Sequence, residues 1–126
     1  MKNAKAKILL IEDDSFLLNM YSTKFEIEGY DISIAEDGAK GIELARDIVP
    51  DIILLDIMMP KMDGFEVLKE LKADSATAEI PVVILTNINQ RDDVERGMSL
   101  GAVDYFIKAH FIPSEIVKKV EKFIKL

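Results

Sequence analysis

Five short β-like runs alternate with longer stretches of helical periodicity along this chain, the sequence sign of a parallel sheet covered by helices on both faces. Ile8–Ile11, Ile52–Leu55 and Val82–Leu85 are apolar without interruption, as strands buried on both faces are. Asp31–Ala35 alternates polar and apolar residues instead, so it belongs nearer an edge. The fifth run extends from Val103 to Ile107, and Pro81 stands just before the fourth, where its missing donor is tolerated.

The segments between the runs carry helical stripes. Leu17, Leu18, Tyr21 and Phe25 form the first, which Gly29 ends. Ile42 and Ala45 mark the second; Val67, Leu68 and Leu71 mark the third. A fourth, near Asp92 to Ser99, contains Gly97, which costs up to ~1 kcal/mol against alanine, so a loose, switchable segment is expected there. The last holds Ile116, Val117, Val120, Phe123 and Ile124, with Pro113 near its start. The expected architecture is α/β, a doubly wound five-stranded parallel sheet with five βα units.

The 126 residues fit one domain, 1–126, with no linker, repeat or output module expected. The formal charge, 16 − 23 = −7, argues against direct nucleic-acid binding, which needs clustered Lys and Arg. There is no cysteine for a disulfide framework and no long apolar stretch or signal peptide, so the expected location is the cytoplasm and not a membrane.

The apolar runs end in chemistry-bearing residues. The first leads into Glu12, Asp13 and Asp14, the third into Asp56, the fourth into Thr86 and the fifth into Lys108. In open sheets of this kind ligands bind beyond the carboxyl ends of the strands. Clustered carboxylates repel one another unless a cation shares them, and a hard divalent ion such as Mg2+ suits oxygen donors. Asp13 and Asp56 are the expected direct ligands, whereas Asp14 reads as a helix cap. A neutralised cluster lets a phosphate approach Asp56, whose carboxylate could then attack phosphorus, with Thr86 and Lys108 as donors to the added charge.

Those strand ends, together with LLDIMMPKMDG around Asp56, VVILTN around Thr86 and DYFIK around Lys108, resemble the receiver domain of two-component response regulators over essentially the whole chain. The resemblance implies a flavodoxin-like sheet of strand order 2-1-3-4-5, and the edge position read for the second strand agrees with it. It implies Asp56 as phosphoacceptor, Asp13 as a metal ligand, Glu12 as a metal-site acid acting through water, and the Met58 carbonyl as a further ligand. Thr86 and Lys108 would contact the phosphoryl group, and Tyr105 would be the switch aromatic. The implied activity is transfer of phosphoryl, with Mg2+, from the phosphohistidine of a sensor histidine kinase or phosphotransfer protein, altering the face of the fourth helix, fifth strand and fifth helix toward a downstream protein. Such a protein acts as a switch and catalyses only its own phosphorylation and dephosphorylation. A phosphorylation-dependent dimer stays open.

Three residues depart from the family pattern. Ala109 stands where a proline usually follows the lysine, leaving open whether that peptide bond is cis. Asn87 follows Thr86 where a small residue is usual, and its side chain would narrow access for a phosphodonor. Ile112 replaces a capping Ser or Thr, with Ser114 expected to compensate in part. His110, the only histidine, has no His or Cys companion and reads as structural. Met58 and Met59 read as adaptable packing beside the site, with Met58 also shielding an acyl phosphate. Among competing classes, a haloacid-dehalogenase-like phosphatase wants a second Asp two residues beyond Asp56, where Met58 stands, and a flavodoxin-like FMN site would be repelled by Glu12, Asp13 and Asp14. The serious alternative is a receiver-shaped interaction module that works without phosphorylation, motivated by Asn87 and Ala109.

Overall fold

A computed structural model describes residues 5–124. The elements alternate as read: β1 (Lys7–Ile11), α1 (Ser15–Ile27), β2 (Asp31–Ala35), α2 (Gly38–Ile48), β3 (Ile52–Leu55), α3 (Gly64–Ala73), β4 (Val82–Thr86), α4 (Arg91–Ser99), β5 (Asp104–Ile107) and α5 (Pro113–Glu121). All neighbouring strands are parallel, in the order β2-β1-β3-β4-β5.

Successive residues of a strand point to opposite faces, so each continuous apolar run supplies two cores at once. Leu9, Ile11, Ile53, Leu55, Val82 and Ile84 join Ile42, Ala45, Val67, Leu68 and Leu71 on the side of α2 and α3. Ile8, Leu10, Ile52, Leu54, Val83 and Leu85 join Leu18, Tyr21, Phe25, Ile116, Val117 and Val120 on the side of α1 and α5. Every residue of β3 and β4 is buried, whereas β2 at the edge keeps Asp31 and Ile34 exposed. This is the pattern that separates a covered strand from an edge strand.

Helix ends follow local chemistry. Asp14, Asp37 and Asp63 cap α1, α2 and α3 by accepting from Leu17, Lys40 and Glu66 N–H, and Glu66 answers Asp63 in a capping box. Gly29, φ +96°, follows the end of α1. At α5, among the described residues, no side chain accepts from the first helical N–H groups, and Ser114 does not stand in for the missing cap; Glu115 Oε1 instead accepts from Ile112 N–H at 2.9 Å, the reverse half of a capping box. The longer acidic side chain reaches back one turn, which a serine at the second helical position does not. α5 is also shorter than its stripe suggested, ending at Glu121, so Phe123 and Ile124 lie beyond the helix although Ile124 is still buried.

One cap is strained. Val49 ends α2 at φ 44°, ψ 70°, a left-handed conformation that a β-branched side chain resists, and its side chain is exposed. Val49→Gly is expected to stabilise the fold by about 0.5–1 kcal/mol, because relief of the left-handed penalty exceeds the entropy that glycine adds to the unfolded chain. Equilibrium unfolding in urea checks the sign.

Candidate functional site

The register sets the site. Ile11 pairs with Leu55, so the residues one step further, Glu12 and Asp56, lie side by side at the carboxyl ends of β1 and β3. Asp56 N–H donates to Ile11 O at 3.0 Å and Glu12 N–H to Ala35 O at 3.0 Å, fixing both backbones. Leu55 pairs with Ile84, which places the end of β4 and Thr86 on the other flank of Asp56. Lys108 leaves β5, two strands from β3, and its long flexible stem carries the amine across that distance.

Glu12, Asp56 and Thr86 are all buried, and Lys108 is nearly so. The Lys108 amine donates to Glu12 Oε1 and, at 3.3 Å, to Asp56 Oδ2. Asp56 Oδ1 accepts instead from the N–H groups of Ile57 at 2.7 Å and Met58 at 3.4 Å. Burial, reinforced by repulsion from Asp56, pushes the Glu12 carboxyl above its ordinary range, against the lowering effect of Lys108 and the Asp14 N–H. Burial works against the charged Lys108 amine too, but Asp56 and Glu12 outweigh it and hold its pKa above the usual lysine value.

Asp13 is exposed at the mouth of this pocket, and carboxylate oxygens of Glu12, Asp13 and Asp56 lie within 4.8 Å of one another. Three convergent oxygen donors of like charge, with one amine serving two of them, form a set that a hard divalent cation fits. Asp14 stands apart as the cap of α1.

Thr86 Oγ1 accepts from Ile88 N–H at 3.4 Å, at the start of the loop leading to α4. Tyr105, half-buried, donates its hydroxyl to Ile88 O at 2.7 Å, so hydroxyl and aromatic meet on the same residue of that loop. Burial, with the Asp93 and Asp56 charges, pushes the Tyr105 phenol up to about 12. Gly97 explains why the ring fits: a Cβ there would lie 2.5 Å from Ile84 Cδ1 and 3.2 Å from the Tyr105 ring. The glycine of α4 is therefore a packing requirement at this position.

Gly64 was given no role by sequence reasoning. An added Cβ at this first residue of α3 would lie 2.2 Å from the Asp56 carbonyl oxygen, so the helix start and the Asp56 backbone are in contact through a missing side chain. The Asp63-Gly64 step of the MDG motif was the available signal, since Asp caps and Gly admits close approach.

The departures resolve locally. Among the described residues there is no cis peptide bond, and Lys108–His110 form one 3-10 turn. Asn87 Oδ1 accepts from Ala109 N–H at 2.9 Å, so the two unusual residues contact each other. His110 is exposed, with its ring 6.3 Å from Phe111. The methionines divide: Met59 packs in the core, whereas Met58 is 66% exposed.

Five parallel strands in this order, with five helices, make a flavodoxin-like α/β domain with an acidic cluster at the carboxyl ends of β1 and β3. The chemotaxis protein CheY4 of Vibrio cholerae superposes with TM-score 0.89 at 28% identity, over 96% of this chain and 100% of that one. The chain belongs to the family described as response regulator receiver domain, whose family model matches residues 8–121. It is 41% identical over 119 residues to the "DNA-binding dual master transcriptional regulator RpaA" of Synechocystis, covering 94% of this chain and 49% of that protein. It is 42% identical over 103 residues to "Response regulator PleD" of Caulobacter vibrioides, covering 82% of this chain and 23% of that one. The chain thus spans half or less of the length of these curated relatives. Among the described residues no helix is long and apolar enough to cross a membrane.

Proposed function

We propose that this domain is a phosphoacceptor switch of a two-component phosphorelay, with Asp56 as the acceptor. The observation that carries the reading is the asymmetric holding of Asp56. Two backbone N–H groups bind Oδ1, leaving Oδ2 beside the Lys108 amine as the oxygen that attacks phosphorus. The new O–P bond forms as the P–N bond of a donor phosphohistidine breaks, and the imidazole departs as the leaving group. The Thr86 hydroxyl and Lys108 amine then donate to the phosphoryl oxygens, where the added charge needs them. Glu12, Asp13 and Asp56, with the Met58 carbonyl, would hold Mg2+, which shields the carboxylates from the incoming phosphate.

The output follows the shared loop residue. A Thr86 side chain drawn to the phosphoryl group releases Ile88 N–H, and the Tyr105 hydroxyl on Ile88 O carries the change to α4, β5 and α5. The partners in this reading are a sensor histidine kinase or phosphotransfer protein on one side and a downstream protein at the α4-β5-α5 face on the other, in the cytoplasm. Phe16, Met58 and Ile112, in the segments that follow β1, β3 and β5, are exposed and would offer apolar footing to the donor. No external substrate is turned over.

Intact mass after incubation with acetyl phosphate, with and without Mg2+, tests this. A single phosphoryl increment is expected in the wild-type protein with Mg2+ and none in Asp56→Asn. An increment that survives Asp56→Asn would move the acceptor elsewhere. No increment from acetyl phosphate or from a phosphorylated kinase would favour the phosphorylation-independent interaction module.

A further inference from the structure

The backbone ladder between β4 and β5 ends at the pair Thr86 and Ile107. One step further the two chains diverge, Asn87 into the loop toward α4 and Lys108 into the 3-10 turn Lys108–His110. The first N–H groups of a helical turn have no partner within it, and that of Ala109 is one of these. Asn87 Oδ1 accepts from it at 2.9 Å, across 22 positions of sequence, so a side chain continues the ladder where the backbone no longer can.

The peptide unit involved joins Lys108 to Ala109. Its N–H is held by Asn87, and its C=O accepts from Phe111 N–H at 3.2 Å. With both ends of that plane fixed, the backbone at Lys108 cannot rotate freely. The direction of the long side chain that reaches Asp56 and Glu12 is set at its root. The arrangement requires an N–H at position 109, which alanine has and proline lacks. Asn87 and Ala109 are thus chemically matched to each other.

We propose that Asn87 is a positioning residue for Lys108, acting through its hydrogen bond to the Ala109 N–H. This rests on the reading of Asp56 as phosphoacceptor with Lys108 as its cationic partner, but its structural content does not. Asn87 is exposed, so Asn87→Ala leaves the core intact.

The test compares wild type, Asn87→Ala, Asn87→Asp, Lys108→Ala and the Asn87→Ala/Lys108→Ala double variant as full chains. In the unphosphorylated state, Asn87→Ala should lose hydrogen-exchange protection at the Ala109 amide and lower the order of the Lys108 ammonium group in nitrogen relaxation. Asn87→Asp, which keeps an acceptor oxygen, should retain both. With acetyl phosphate and saturating Mg2+, Asn87→Ala should slow phosphorylation about two- to tenfold, the range of one hydrogen bond, without shifting the Mg2+ half-saturation point. In the Lys108→Ala background the same substitution should slow nothing further. Unchanged Lys108 order in Asn87→Ala, or equal slowing with and without Lys108, overturns the inference. A wild-type protein that takes no phosphoryl group would defeat the phosphoacceptor reading alone, and the ammonium measurement would still decide the role of Asn87.

Discussion

Gly64→Ala is expected to destabilise the domain by about 3 kcal/mol or more, at the upper end of what overpacking costs. The reason is that the obstacle is backbone. An alanine Cβ would stand 2.2 Å from the Asp56 carbonyl oxygen, 2.7 Å from Ile57 Cα and 2.9 Å from the Asp56 carbonyl carbon. A side chain can turn away, as Val67 could from a Cβ at Gly38, 2.6 Å from its Cγ2, but a strand end held by its own ladder cannot. Gly64 N–H also donates to Ile57 O at 2.9 Å, and a shift of α3 breaks that bond. Urea unfolding measures the loss; a wild-type midpoint would show that the helix start yields freely. Because Asp56 must move with its carbonyl, phosphoryl uptake should fall in the residual folded protein as well.

Lys108→Ala is expected to cost about 3 kcal/mol at neutral pH, because it strands two buried carboxylates that share one amine. The sign with pH follows from Glu12. Its folded pKa lies above the unfolded value of 4.5, and loss of Lys108 raises it further. A raised carboxyl gives its full stability below the unfolded pKa, where it is protonated in both states, and loses it as pH rises through the folded pKa. The deficit of Lys108→Ala should therefore be small near pH 4 and grow toward pH 8. Added Mg2+ should narrow the gap at pH 8, since a cation replaces the missing amine. Phosphorylation should slow by about 10²–10³, the effect of removing one preorganised donor. A pH-independent deficit that Mg2+ leaves untouched would show that Lys108 acts through packing of its stem.

The sheet was legible because its pattern is local. Uninterrupted apolar runs at Ile8, Ile52 and Val82 and an alternating one at Asp31 read directly as inner and edge strands. Glu12, Asp56, Thr86 and Lys108 were visible for the same reason, each ending a run, and the parallel register gathers them. What escaped depends on contacts between distant segments. The Asp63-Gly64 step hints at a close approach but does not say that the Asp56 carbonyl is what approaches, and nothing in Asn87 or Ala109 alone reports a bond across 22 residues. Gly97 was read by propensity, a property of an isolated helix, whereas the side chains of Ile84 and Tyr105 decide that position. At α5 a small polar residue is the expected cap, yet the side-chain contact that forms is from Glu115, three residues along, to the Ile112 N–H.

α4 contributes one buried residue to the domain, and that residue is a glycine. Every other helix inserts at least one buried side chain into one of the two cores. Sliding α4 to a second placement would uncover little apolar surface, so water opposes the movement only weakly, and the two placements differ little in solvation. A coupling of about 1–3 kcal/mol delivered at the Thr86 end of β4 is enough to redistribute such a pair of states. If Asp56 is the phosphoacceptor proposed above, so thin an anchorage would let a single charged group there shift α4 while the sheet beneath it keeps its shape.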